Sequence, residues 1–74
     1  MNESRAVKIF GKAVREIRQE RGLTLEALAT EIDIDAAHLS RIERGQKEIS
    51  LATAVRIADA LGEKLTVGKY TLKT

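Results

Sequence analysis

The sequence predicts a small all-α domain of four short helices followed by a strand-like tail. Three observations predict it. Apolar residues recur at three- and four-residue spacings in four separate runs between residues 5 and 61, the period of one helix face. The runs are punctuated by Gly22, Asp33, Gly45 and Gly62, and three of them open on Thr24, Asp35 or Ser50, residues that cap helices. Beyond Gly62 the period drops to two. At 74 residues, 43% hydrophobic and 32% charged, the chain is expected to form one domain with a modest, mostly aliphatic core.

The first helix is expected from Arg5 to Arg21. Val7, Phe10, Val14 and Ile17 fall on one face, charged residues fill the positions between them, and Gly22 follows where a left-handed cap is easiest. The second runs from Leu25 to Ile32. The Thr24 hydroxyl can accept a free N–H of the first turn, Glu26 complements the helix dipole, and Leu25, Leu28, Ala29 and Ile32 form the inner face. Asp33-Ile34-Asp35 is a break in which Asp33 tolerates a left-handed conformation and Asp35 caps the next helix. In the third helix, Ala36 to Arg44, Ala36, Leu39 and Ile42 repeat at three-residue spacing, and Gly45 stops the run. After a polar loop at 46–49, Ser50 caps a fourth helix from Leu51 to Leu61, whose expected inner face is Leu51, Val55, Ala58 and Leu61. In the tail, residues 63–74, Leu65, Val67, Tyr70 and Leu72 alternate with polar residues around Gly68. This is one bulged strand or two strands turning at Gly68. Its backbone must pair with itself, with the body of the domain or with a second copy.

Composition narrows the function. There is no Cys and a single His, His38, so Cys-based and multi-His zinc sites are excluded, and no cofactor or metal is expected. No nucleophile–base pair has recognisable spacing, so an enzyme is not expected. No apolar run approaches the ~20 residues of a membrane span and no signal peptide opens the chain, so a cytoplasmic protein away from membranes is expected. The net charge of +2 conceals an asymmetry: residues 1–22 carry +3, residues 23–45 carry −3, and residues 46–74 carry +2.

The second helix, the short turn and the third helix form a helix-turn-helix over about residues 25–44, a unit that projects one short helix outward at a size the major groove admits. Two helices this short cannot bury their own apolar faces, so the first and fourth must complete the core. The runs Ile17-Arg18-Gln19-Glu20-Arg21-Gly22-Leu23-Thr24-Leu25, Leu39-Ser40-Arg41-Ile42-Glu43-Arg44-Gly45 and Leu51 to Gly62 resemble the Cro/repressor-type (Xre-like) helix-turn-helix proteins. The resemblance covers roughly residues 7–62. It implies a λ-repressor-like all-α fold of about four to five helices that binds double-stranded DNA as a homodimer at palindromic operators.

By position, the resemblance makes Arg18 and Glu43 a partly buried ion pair between the first and third helices. It turns Ala36, Ala37 and Arg41 toward base edges. It sets Thr24 and Leu25 against a phosphate and gives Arg44 and Lys47 phosphate contacts. His38, beside Ala37 on the exposed side of the third helix, and Ser40, as a phosphate donor or a hydroxyl bonded back to its own helix, join the expected DNA-binding set. Arg41 is the leading base reader, because a guanidinium donates two hydrogen bonds to the O6/N7 edge of guanine. Four residues depart from the family pattern, among them Asp33, where family members often have Gly in the turn. Many family members have Gln where this chain has Leu25, which cannot hydrogen-bond, so a phosphate there must meet backbone N–H groups. Ala36 and Ala37 offer a base only apolar contact, such as to a thymine methyl.

The alternating tail is expected to form an intersubunit strand that adds to a partner's tail across a two-fold axis, with Leu65, Val67, Tyr70 and Leu72 at the dimer interface. The expected function is a dimeric sequence-specific transcriptional regulator. The alternatives are an antitoxin that neutralises a toxin protein and represses its own operon, and a controller protein of a restriction–modification system. A toxin and RNA polymerase are the further partners these readings admit.

Overall fold

The computed structural model describes residues 4–73. Four helices, α1 (Arg5–Glu20), α2 (Leu25–Glu31), α3 (Ala36–Glu43) and α4 (Leu51–Ala60), precede two short strands, β1 (Leu65–Val67) and β2 (Tyr70–Leu72). Each sequence-predicted helix is present, and each ends one residue before its expected last residue, which serves instead as the cap.

Local chemistry explains these boundaries. Thr24 Oγ1 accepts the Ala27 N–H at 3.0 Å, Asp35 Oδ1 the His38 N–H at 2.8 Å, and Ser50 Oγ the Thr53 N–H at 3.1 Å. Ser4 does the same for Val7 at 3.1 Å, a cap that the spacing of the first run does not reveal. All four helices close with the six-to-one bond that accompanies a left-handed residue. At the end of α2 that residue is Asp33, with φ of 60°, and the Ile34 N–H reaches back to the Ala29 carbonyl at 3.0 Å. Asp33 therefore does in this turn what glycine does after the other three helices.

The core lies where the helices converge. Leu28, Leu39, Ile42 and Ile57 are fully buried, and Val14, Ala29, Ile32 and Leu61 complete the cluster. Each large aliphatic side chain here contributes roughly 1.5–3 kcal/mol by leaving water. The inner face of α4 differs from the expected one. Ala54, Ile57, Ala58 and Leu61 form the buried i, i+3, i+4, i+7 stripe together with Val55, whereas Leu51, in the first turn, is 65% exposed. Allowing one apolar residue per turn omits Ile57, because a helix stripe is wide enough to take both i+3 and i+4.

The approach of α1 to α3 is set by Gly11, a buried glycine in the middle of a helix. A Cβ at Gly11 would lie 2.2 Å from the Ile42 carbonyl oxygen and 2.8 Å from that of Glu43. Only a residue without a side chain lets the two backbones come this close. Gly45, just past α3, packs in the same way: a Cβ there would lie 2.9 Å from Lys8 Cα.

The tail is a hairpin. β1 and β2 pair antiparallel, Leu65 opposite Leu72 and Val67 opposite Tyr70. Gly68 has φ of 59° and Lys69 has negative φ, the pattern of a two-residue type II′ turn. The tail backbone therefore pairs with itself. Leu65, Val67, Tyr70 and Leu72 share one face of the ribbon. Leu65 sits by Ala58 and Leu61 of α4, and Leu72 by Leu51 and Val55. At the other end of the ribbon Val67 and Tyr70 are 65% and 68% exposed.

Candidate nucleic-acid interface

The outward face of α3 follows from its inward one. Leu39 and Ile42 are buried at three-residue spacing, which leaves Ala37, Arg41 and Arg44, at i, i+4 and i+7, on the exposed side. Lys47 is exposed in the loop after the helix. The side chain of Arg41 makes no hydrogen bond or ion pair among the described residues, so both its donor edges are available. Arg44 reaches back to the Ser40 carbonyl with Nε at 3.3 Å.

The other sequence-expected residues divide. His38 and Ser40 are half-buried at the flanks of this face. Ala36 is half-buried and packs against the core, so its methyl serves the interior as well as the turn side of α3. Leu25 also packs against the core, and Thr24 is exposed with its hydroxyl engaged in the α2 cap. The exposed stripe of α3 is therefore Ala37-Arg41-Arg44 rather than one that begins at Ala36.

Behind this face lies the polar anchor. Arg18 donates to Glu43 through Nε at 2.7 Å and through Nη2 at 3.1 Å, and its Nη1 donates to the Leu23 carbonyl at 2.8 Å. The side chains are 11% and 5% exposed. The hydrogen bond to Glu43 raises the Arg18 pKa above its usual value, against the opposing effect of burial, so Arg18 stays protonated. Three donors thus tie α1 both to the end of α3 and to the loop entering α2. The helix-turn-helix is held at two points by one side chain from outside it.

Two further arginines support the frame, and the sequence pattern did not single them out for it. Arg56 of α4 donates to the Ile32 carbonyl, one of the orphan acceptors at the end of α2. Arg21 pairs with Glu63, joining the end of α1 to the segment after α4. Both are long-range contacts of exposed residues, for which periodicity carries no signal. Arg15, which the sequence leaves open as a DNA-backbone contact or part of a solvated face, lines a cleft of about 240 Å³ with Arg18, Leu25, Ser40, Glu43 and Arg44. Among the described residues no group of His, Cys, Asp or Glu side chains has the arrangement to hold a metal ion. No helix among the described residues is long and apolar enough to cross a membrane.

Residues 14–67, which include this unit, match the family HTH_3, "Helix-turn-helix". The chain belongs to that family. It is 43% identical over 53 residues to the HTH-type transcriptional repressor RghR of Bacillus subtilis, covering 70% of this chain but only 39% of RghR. It is 40% identical over 55 residues to the control protein C.BamHI of Bacillus amyloliquefaciens, covering 73% of this chain and 68% of that protein. Its fold is similar, with a TM-score of 0.76 and 28% identity over 82% of this chain and 80% of the other, to the restriction-modification controller protein C.Esp1396I, solved as a tetramer in complex with its natural 35 base-pair operator. The λ-repressor-like arrangement expected from the sequence is the one observed.

Proposed function

We propose that this chain is a sequence-specific DNA-binding transcriptional regulator that acts as a homodimer on a palindromic operator. The observation that carries the reading is the exposed stripe Ala37-Arg41-Arg44 on a helix whose opposite side is locked into the core, within a helix-turn-helix of a family of regulators. In this reading α3 enters the major groove. Arg41 reads a guanine, Ala37 and Ala36 meet a thymine methyl, and His38 and Ser40 lie at the groove wall. Arg44, Lys47 and the start of α2 at Thr24 and Leu25 take phosphates. A dimer sets two copies of α3 about 34 Å apart on one face of the duplex. The apolar face of the hairpin, Leu65, Val67, Tyr70 and Leu72, supplies the dimer contact. A tetrameric controller on its operator among the similar structures supports oligomeric binding. We assign no catalytic residue, cofactor or metal, and place the protein in the cytoplasm with its DNA.

The test is selection of duplexes from a random pool at several salt concentrations, with the wild-type protein and Arg41→Ala. The wild type should enrich a palindrome with guanine at symmetric positions, and Arg41→Ala should lose that preference while keeping weak, salt-sensitive binding. Absence of binding to any duplex at low salt would remove the reading and favour the antitoxin alternative.

A second reading within the same class has its own support. The likeness to C.BamHI spans most of both chains, which supports a controller of a restriction–modification system. A restriction endonuclease gene beside this one would decide for it, and a toxin gene would decide against it.

A further inference from the structure

The helix-turn-helix has too little positive charge for its proposed task. Residues 23–45 hold two arginines against five acids. One of those acids, Glu43, is neutralised by Arg18, and Asp33 and Asp35 sit at the entrance to α3. A surface that approaches a polyanion needs cations from elsewhere, because phosphate neutralisation supplies most of the sequence-independent affinity.

α1 provides them in order. Arg5, Lys8, Lys12 and Arg15 succeed one another at spacings of 3, 4 and 3, the period of a single helix face, and all four are exposed. They span about 15 Å along the axis at 1.5 Å per residue. Gln19 continues the stripe and Glu16 lies at its edge. The apolar stripe Val7-Phe10-Val14-Ile17 has the same spacing on the other side of the helix, so burying one displays the other.

Two contacts fix where this cationic stripe points. Lys8 packs against Gly45, immediately after α3. Arg15 shares a cleft with Ser40 and Arg44 of α3. Lys8 and Arg15 are thereby held alongside the C-terminal end of α3, where Arg44 and Lys47 leave the helix-turn-helix.

We propose that Arg5, Lys8, Lys12 and Arg15 form a phosphate rail, a sequence-independent surface that binds the sugar-phosphate backbone of the duplex beside the groove occupied by α3. The inference rests on the DNA-binding reading and adds α1 to it as the main source of electrostatic affinity. The rail extends the cationic surface of Arg44 and Lys47 along the backbone and offsets the acidic α2–α3 unit.

The experiment measures binding of the full chain to the selected duplex and to a mixed-sequence duplex, across a roughly tenfold range of salt concentration that starts at about 50 mM. The proteins compared are the wild type, the double variant Lys12→Gln/Arg15→Gln, and Lys69→Gln/Lys73→Gln, which removes the same charge from the tail. Losing two phosphate contacts in each protomer, four in the dimer, should lower the magnitude of the slope of log K against log salt by about 4 in the α1 variant, and by the same amount on both duplexes. The tail variant should keep the wild-type slope. Circular dichroism verifies that each variant is folded. An unchanged slope in the α1 variant, or an equal change in the tail variant, would overturn the rail while leaving DNA binding intact. A wild type that binds neither duplex would instead remove the reading on which the rail rests. A loss of preference between the two duplexes in the α1 variant would also overturn it, since a rail carries no sequence information.

Discussion

The two sides of this small domain are built on opposite terms. Where α1 meets α3, backbones touch at Gly11, Gly45 seats Lys8, and a bidentate ion pair closes the junction. Where α4 meets the hairpin, contact is through half-buried Leu65 and Leu72, and Leu51, Val67 and Tyr70 stay largely exposed. The first side is complete within the chain. The second leaves apolar area in water, on a two-stranded ribbon that is marginal in isolation. Stability is therefore concentrated on the side that holds the proposed reading helix in place, and the other side keeps apolar area free for the proposed association.

The largest effect separating the two sides is expected at Gly11. Gly11→Ala sets a methyl into the α3 carbonyls, and the backbones must separate, at a cost of about 3 kcal/mol or more. Denaturant unfolding monitored by circular dichroism should show the midpoint collapse, and a wild-type midpoint would mean that the close approach is unimportant. Next comes the buried pair. Glu43→Ala strands the Arg18 charge and should cost about 3–5 kcal/mol, whereas Arg18→Met with Glu43→Leu should recover most of that loss. A double variant as unstable as the single one would assign the pair a role that apolar packing cannot replace. A smaller step is the α2 cap, where Thr24→Ala should lower the unfolding free energy by about 1 kcal/mol.

The smallest stability effect belongs to the other side. Val67→Thr with Tyr70→Ser should change unfolding free energy by less than about 0.5 kcal/mol, measured at low concentration where the monomer dominates. The same variant should sediment as monomer at concentrations where the wild type is dimeric. If instead it remained dimeric, the proposed contact would move to the start of α4 around Leu51.

Helix periods and caps in the sequence carried all four helices to within a residue at each end, because Thr24, Asp35 and Ser50 act locally on the turns they open. The Arg18–Glu43 pair was legible only through the family resemblance, since nothing in their spacing joins residues from two helices. Gly11 was not legible. A glycine inside a helical pattern reads as a weak point, and its value exists only once α3 lies against it. The exposed stripe of α3 was legible in Arg41 and Arg44, but Ala36 is shared with the core because the first turn of α3 leans on α2. The tail pattern allowed several pairings, and only the turn geometry at Gly68 selects the hairpin.

The close contact at Gly11 also works as an angular index. Successive residues of a helix are rotated by about 100°, so a contact that admits only a hydrogen atom can be made by one position of α1 and by none of its neighbours. Turning α1 by a single residue would drive Phe10 or Lys12 into the α3 carbonyls. The direction in which the four exposed cations of α1 face is thus set by a residue with no charge and no side chain.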